Sequence, residues 1–147
     1  MKIRHVLAVK SAHVVTVGRE QSLRDAVRLL ASHRIGGLVV VDAVGAPVGV
    51  LSERDIVRAL AEASDALDRR VGEIMSRDPV TGSPDDDAEA VLDTMTARRF
   101  RHLPIVDGGR LVGIVSLGDL VKHQMSRYEG EIQTLEVRLM DDDAPAS

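Results

Sequence analysis

The stretch GVLSERDIVRAL runs from Gly49 to Leu60, and GIVSLGDLVKHQ runs from Gly113 to Gln124. Each places apolar residues before a Ser, an Asp three positions after it, and then apolar residues at helical spacing. Two copies of one phrase in a short chain indicate an internal repeat, and an internal repeat decides the fold. Sliding the chain on itself by 65 positions extends the match: Val15 meets Val80, Thr16 meets Thr81, Arg34 meets Arg99 and Leu38 meets Leu103. One residue fewer in the next turn changes the offset to 64, so that Gly49, Ser52, Asp55 and Val57 meet Gly113, Ser116, Asp119 and Val121.

Each unit reads in the order β-α-β-β-α. A short extended piece (Val14–Val17; Val80–Thr81) precedes a helix capped by Ser22 or by an Asp of Asp85–Asp87. The apolar faces of these helices are Leu23, Ala26, Val27 and Leu30, and Ala88, Val91, Leu92 and Met95. Continuous apolar runs, Leu38–Val41 and Leu103–Val106, read as strands buried on both faces. Turns at Asp42–Gly45 and Asp107–Gly109 lead to further strands, Val48–Leu51 and Leu111–Val115, and then to the last helix of the unit. The fold expected is α/β of the α+β type. A unit of about 65 residues buries only about 60% of its chain's surface, so two units packed against each other around one shared core account for the duplication. The expected division is a first repeat with its N-terminal segment over 1–63, a linker over 64–70, a second repeat over 71–127, and a helical extension with an acidic tail over 128–147. A short helix is expected at Val71–Met75.

Composition narrows the function. Of the 147 residues 44% are hydrophobic but only 1% aromatic, namely Phe100 and Tyr128, so the core is aliphatic. A purine site here is expected to use Val, Ile, Leu and backbone amides in place of ring stacking. The net charge of −4 argues against nucleic acid as partner. With no Cys, disulfides and thiolate chemistry are excluded. No apolar run approaches the roughly 20 residues of a membrane span, and the first residues lack a signal peptide's long apolar region. A cytoplasmic protein is expected.

The Ser-x-x-Asp pair admits two readings. Ser52-Glu-Arg-Asp55 and Ser116-Leu-Gly-Asp119 match the capping-box signature. A helix N-terminus also offers free N–H groups and partial positive charge to a phosphate, a Ser hydroxyl there can bond a phosphate oxygen, and an Asp nearby can accept from a ribose diol. The readings are compatible.

The element order and the duplicated G-h-h-S-x-x-D resemble a pair of CBS domains in tandem, the Bateman module, over about residues 1–127. SERDIVRAL and RRFRHLPIVDGGRLVGIVS are similar to small bacterial proteins made of little more than this module. The resemblance implies pseudo-two-fold packing and two clefts between the repeats that bind adenosyl ligands: AMP, ADP, ATP, NAD(H) or S-adenosylmethionine. It implies that Asp55 and Asp119 hold ribose hydroxyls and that Ser52 and Ser116 contact phosphate. It also implies that Thr16 lies near the Asp119 cleft and Thr81 near the Asp55 cleft. The repeats differ where phosphates would lie. Arg101-His102 stands where the first repeat has Gly36-Gly37, and Arg54 stands where the second has Gly118. Arg54, Arg101 and His102 are therefore candidate phosphate ligands. For Arg98, Arg99 and Arg101 a basic helix C-terminus is the competing account.

No metal is expected: His5, His13, His33, His102 and His123 lack ligand spacing, and Asp85–Asp87 and Asp141–Asp143 read as a helix start and a solvated tail. No phosphate-binding loop or nucleophile elbow is present. Val121, Met125, Tyr128, Ile132, Leu135 and Leu139 are spaced 4, 3, 4, 3, 4, an a/d seam that needs a partner surface, most economically a second copy. The reading is a non-catalytic, homodimeric adenosyl-nucleotide sensor that signals to a regulated partner protein. The alternative is an interaction or dimerisation module whose motifs only cap helices.

Overall fold

The computed structural model describes residues 1–9 and 14–142. His13 and the side chains of Asp141–Asp143, weighed above as metal ligands, lie outside the described residues. The elements in chain order are α1 (Ile3–Val9), β1 (Thr16–Gly18), α2 (Leu23–His33), β2 (Gly37–Val41), β3 (Pro47–Ser52), α3 (Glu53–Glu62), α4 (Val71–Ile74), β4 (Ser76–Arg77), α5 (Ala88–Arg98), β5 (His102–Asp107), β6 (Arg110–Ser116) and α6 (Leu117–Asp142).

In the first repeat β1 runs parallel to β2, with Thr16 opposite Val39, and α2 makes the crossover that a parallel pair requires. β2 and β3 are antiparallel, Leu38 facing Leu51. β4 adds to the free edge of β3, giving the order β1-β2-β3-β4. Helix α2 begins at Ser22, whose hydroxyl accepts the Asp25 N–H, and buries Leu23, Ala26 and Leu30. In the second repeat α5 begins at Asp87, whose carboxylate accepts the Ala90 N–H, and buries Ala88, Val91 and Met95. That backbone bond holds the Asp87 carboxyl below the usual carboxylate range. Both helices end on an Arg in the left-handed region, Arg34 at φ 53° and Arg99 at φ 59°, each donating its N–H back to the last turn. The repeat thus preserves even its irregular backbone.

The second repeat is the more eroded copy. β5 and β6 pair antiparallel as a two-stranded sheet, with His102 opposite Ser116. The extended piece expected at Val80–Thr81 contracts to one parallel bridge, Gly82 to Ile105, closed by Gly82 N–H to Pro104 O at 2.9 Å and Val106 N–H to Gly82 O at 2.8 Å. Pro79 and Pro84 flank this segment without the N–H that a longer ladder needs.

Two expectations are corrected. The repeats do not share one core. Leu38, Val40 and Leu51 gather with the buried faces of α2 and α3, whereas Leu103, Ile105 and Val115 gather with α5 and Leu120. Each repeat has enough covering helix to close its own cluster. The N-terminal segment, placed with the first repeat by sequence order, packs on the second. Ile3 and Val6 join its core, Ile3 N–H donates to Asp86 O, and Arg4 pairs with Asp85. The Arg4 hydrogen bond and charge hold the Asp85 carboxyl below its usual range. The eroded repeat has no first strand to cover its core, and α1 supplies that cover. Leu7 fills the space above Gly113, where a Cβ would come within 2.7 Å of it.

Candidate functional site

Ser52 closes β3 and starts α3; Ser116 closes β6 and leads into α6. Both capping boxes form. Asp55 N–H donates to Ser52 Oγ at 3.2 Å, and Ser52 N–H to Asp55 Oδ2 at 2.9 Å. Asp119 N–H donates to Ser116 Oγ at 3.0 Å, and Ser116 N–H to Asp119 Oδ2 at 2.8 Å. The capping reading is therefore realised in both repeats. It leaves capacity for a ligand, because each Ser accepts in the box and keeps its O–H as a donor. Asp55 spends Oδ2 on the box and keeps Oδ1. All four side chains are half-buried, so they are held by their surroundings and still reach solvent.

The residue after each Ser anchors the start of the central strand. Glu53 N–H donates to Gly36 O at 3.1 Å, and Leu117 N–H donates to Arg101 O at 2.8 Å. These bonds pin Gly36-Gly37 and Arg101-His102 against the two motifs. The difference between the repeats at these positions has a packing cause as well as the electrostatic one expected. A Cβ on Gly37 would lie 3.0 Å from three ring atoms of His102, so the His of one repeat occupies the space left by the Gly of the other. The turns also meet, with Leu111 N–H donating to Gly45 O at 3.5 Å.

Between the repeats a cleft of about 1020 Å³ opens onto both motifs. Ser52, Arg54, Asp55, Arg101, His102 and Ser116 line it together. Its volume is at the upper end of the roughly 300–1,000 Å³ typical of ligand pockets. Asp119 sits behind Ser116 through the capping box without lining the cleft. Thr81 lines a separate cavity of about 240 Å³ that shares Val80 and Phe100 with the cleft. Thr16 does not line the cleft; it lies in β1 opposite Val39. The structure thus brings six of the nine candidates to one surface.

Sequence reasoning missed Arg58, Arg77 and Phe100 on that surface. Arg58 was legible, four positions after Arg54 and so on the same helix face. Arg77 reaches the cleft because β4 adds to β3, which no local pattern announces. Phe100 corrects the expectation of a ring-free base site: the chain's one Phe, half-buried, lines the cleft with Val50, Val57 and Val80. Arg99 lies at the helix end, as the competing account held, and lines the cleft too. A cavity of about 740 Å³ beside β3 and β4 contains the Arg70–Glu20 ion pair and neither motif. Among the described residues no cluster of His, Asp or Glu could hold a metal ion, and no helix is long and apolar enough to cross a membrane.

The family model described as "CBS domain" matches residues 5–62 and 71–126. The chain is 39% identical over 117 residues to the CBS domain-containing protein YhcV of Bacillus subtilis, covering 79% of this chain and 82% of that protein. Among solved structures it is similar to the CBS-domain containing protein ATU1752 from Agrobacterium tumefaciens, with TM-score 0.80 and 37% identity over 84% of this chain and 99% of that one. It is similar also to the CBS domain pair of protein MJ0100 in complex with 5′-methylthioadenosine and S-adenosyl-L-methionine, with TM-score 0.77 and 28% identity over 86% and 98% of the two chains. CBSX2 in complex with AMP gives TM-score 0.69 and 26% identity over 80% and 90%. With two matched repeats, one motif in each, and the same architecture, this chain belongs to the CBS-domain family as a tandem pair.

Proposed function

We propose that this chain is a non-catalytic sensor that binds an adenosyl nucleotide (AMP, ADP, ATP or NAD(H)) in the cleft between its repeats. The observation that carries the reading is the convergence of Ser52, Asp55, Arg54, Arg101, His102 and Ser116 on one cleft of nucleotide size. Val50, Val57, Val80 and Phe100 supply apolar surface for a base. The Asp55 carboxylate supplies an acceptor for a ribose diol, the Ser hydroxyls supply donors, and the arginines supply charge for phosphate. MJ0100 and CBSX2, which bind adenosyl compounds, are similar over most of this chain. The nucleotide that binds, added at about 100 times its dissociation constant, is expected to add roughly 2.7 kcal/mol to stability. The check is a thermal melt with each nucleotide at millimolar concentration. If none of them moves the midpoint, the sensor reading fails.

A second reading, an interaction module without ligand, is favoured by one observation: both motif Asp residues already serve capping boxes. The same flat melts would support it.

The reading includes a homodimer, in a cytoplasmic setting, that relays ligand state to a regulated protein. Helix α6 continues to Asp142, and its seam residues Met125, Tyr128, Ile132, Leu135 and Leu139 are each at least half exposed. Pairing this stripe with a second copy removes it from water. Truncation after Arg127 is expected to convert the dimer to monomer, measured by sedimentation at tens of micromolar. A full-length protein that already sediments as a monomer contradicts the dimer.

A further inference from the structure

We infer that the cleft is built for a ligand with at least two phosphoryl groups; this rests on the nucleotide reading and narrows it to ADP, ATP and NAD(H), setting AMP aside. Five arginines line the cleft: Arg54 and Arg58 on α3, Arg77 on β4, Arg99 at the end of α5, and Arg101 just before β5. None of the five has an ion-pair or hydrogen-bond partner for its guanidinium among the described residues. Among the other described arginines Arg4, Arg24, Arg69, Arg70 and Arg127 each have a carboxylate within hydrogen-bonding reach while Arg19, Arg34, Arg98, Arg110 and Arg138 have none among the described residues, so what sets the five apart is that one cleft gathers them. The chain as a whole is acidic, with 19 Lys and Arg against 23 Asp and Glu. Five such guanidiniums gathered on one cleft of about 1020 Å³ therefore go against the composition.

The carboxylates of the lining do not cancel it. Glu53, Asp55 and Asp78 face five arginines, an excess of two positive charges among these eight side chains, and one carboxylate oxygen of Asp55 already serves its capping box. The first turns of α3 and α6 also open onto the cleft, adding partial positive charge. Like charges held around one space raise the free energy of the empty state, and a polyanion relieves it. A single phosphate leaves part of this charge uncompensated, because the arginines come from both repeats. A second and third phosphoryl group extend negative charge along the cleft and let more guanidiniums make charge-assisted bonds. A sulfonium ligand such as S-adenosylmethionine brings a positive charge into the same field.

The test is calorimetric titration of the full chain with AMP, ADP, ATP, S-adenosylmethionine and inorganic tripolyphosphate at two salt concentrations. ATP is expected to bind at least about tenfold more tightly than AMP, with S-adenosylmethionine weaker than either. The ATP constant is expected to weaken more steeply with salt than that of AMP. In Arg58→Gln with Arg77→Gln, both exposed positions, the preference for ATP over AMP is expected to shrink to about threefold or less. AMP or S-adenosylmethionine binding as tightly as ATP overturns the inference and leaves the nucleotide reading standing. Tripolyphosphate binding with no nucleotide bound upholds the polyanion cleft and overturns the nucleotide reading. No binding by any of these probes overturns both.

Discussion

Asn at position 55 is expected to lower nucleotide affinity by about ten- to a hundredfold, and Asn at position 119, whose carboxylate lies behind Ser116 and off the cleft, by less, each with fold stability lowered by about 1 kcal/mol or less. In the proposed reading the two effects separate because the motif Asp at the cleft has two jobs. In each motif the Asp Oδ2 accepts the N–H of the preceding Ser, at 2.9 Å for Asp55 and 2.8 Å for Asp119. An Asn carbonyl oxygen accepts the same bond, so the box survives Asp55→Asn and Asp119→Asn. What is lost for stability is the favourable placement of a carboxylate in the first turn, a few tenths of a kcal/mol to about 1. What is lost for binding is a charged acceptor. Hydrogen bonds to charged groups contribute about 1.5–3 kcal/mol, and about 1.4 kcal/mol is tenfold in affinity. Calorimetry and urea unfolding on the parent, the single variants and the double variant check both halves. Unchanged nucleotide affinity with clear loss of stability would mean that the motifs only cap.

Leu38→Ala and Leu103→Ala are each expected to cost about 2–5 kcal/mol. Against a total stability of about 5–15 kcal/mol for a domain, either loss is large. The positions are equivalent in the repeat, and both are nearly inaccessible, at 0% and 4%. They belong to different clusters: Leu38 packs with Leu51 and the α2 face, Leu103 with Ile105, Met95 and α1. As members of separate buried clusters, their costs are expected to add to within about 0.5 kcal/mol in the double variant. Urea denaturation of the two single variants and the double checks this. Coupling well above about 1 kcal/mol would restore the single shared core that the repeat pattern suggested.

Much of the fold was legible because its signals are local. Ser22 and Asp87 cap the helices they precede, and Leu38, Val39 and Val40 are buried as their unbroken apolar run implies. The motif Ser and Asp fell where the register of the repeat placed them. The errors concern tertiary choice. A short amphipathic segment such as Ile3–Val9 carries no mark of which core it joins, and here the copy with the missing strand takes it. The Gly36-Gly37 and Arg101-His102 difference read as ligand chemistry alone, since contact between His102 and Gly37 exists only once the repeats face each other. Six candidates converged because they flank strand ends that the repeat brings to one place. The Thr pair did not follow, since β1 holds Thr16 in the sheet and the second repeat has no strand at Thr81.

The central claim is that an adenosyl nucleotide occupies the cleft between the repeats, and the most direct measurement is an amide-resolved NMR titration of the full chain with ATP. The account predicts that the amides of Ser52–Asp55, Arg99–His102 and Ser116–Asp119 shift together and saturate, while those of the Arg19–Glu20 and Gly72–Glu73 cavity stay put. A spectrum unchanged at millimolar ATP, or shifts that saturate at another surface, would contradict it.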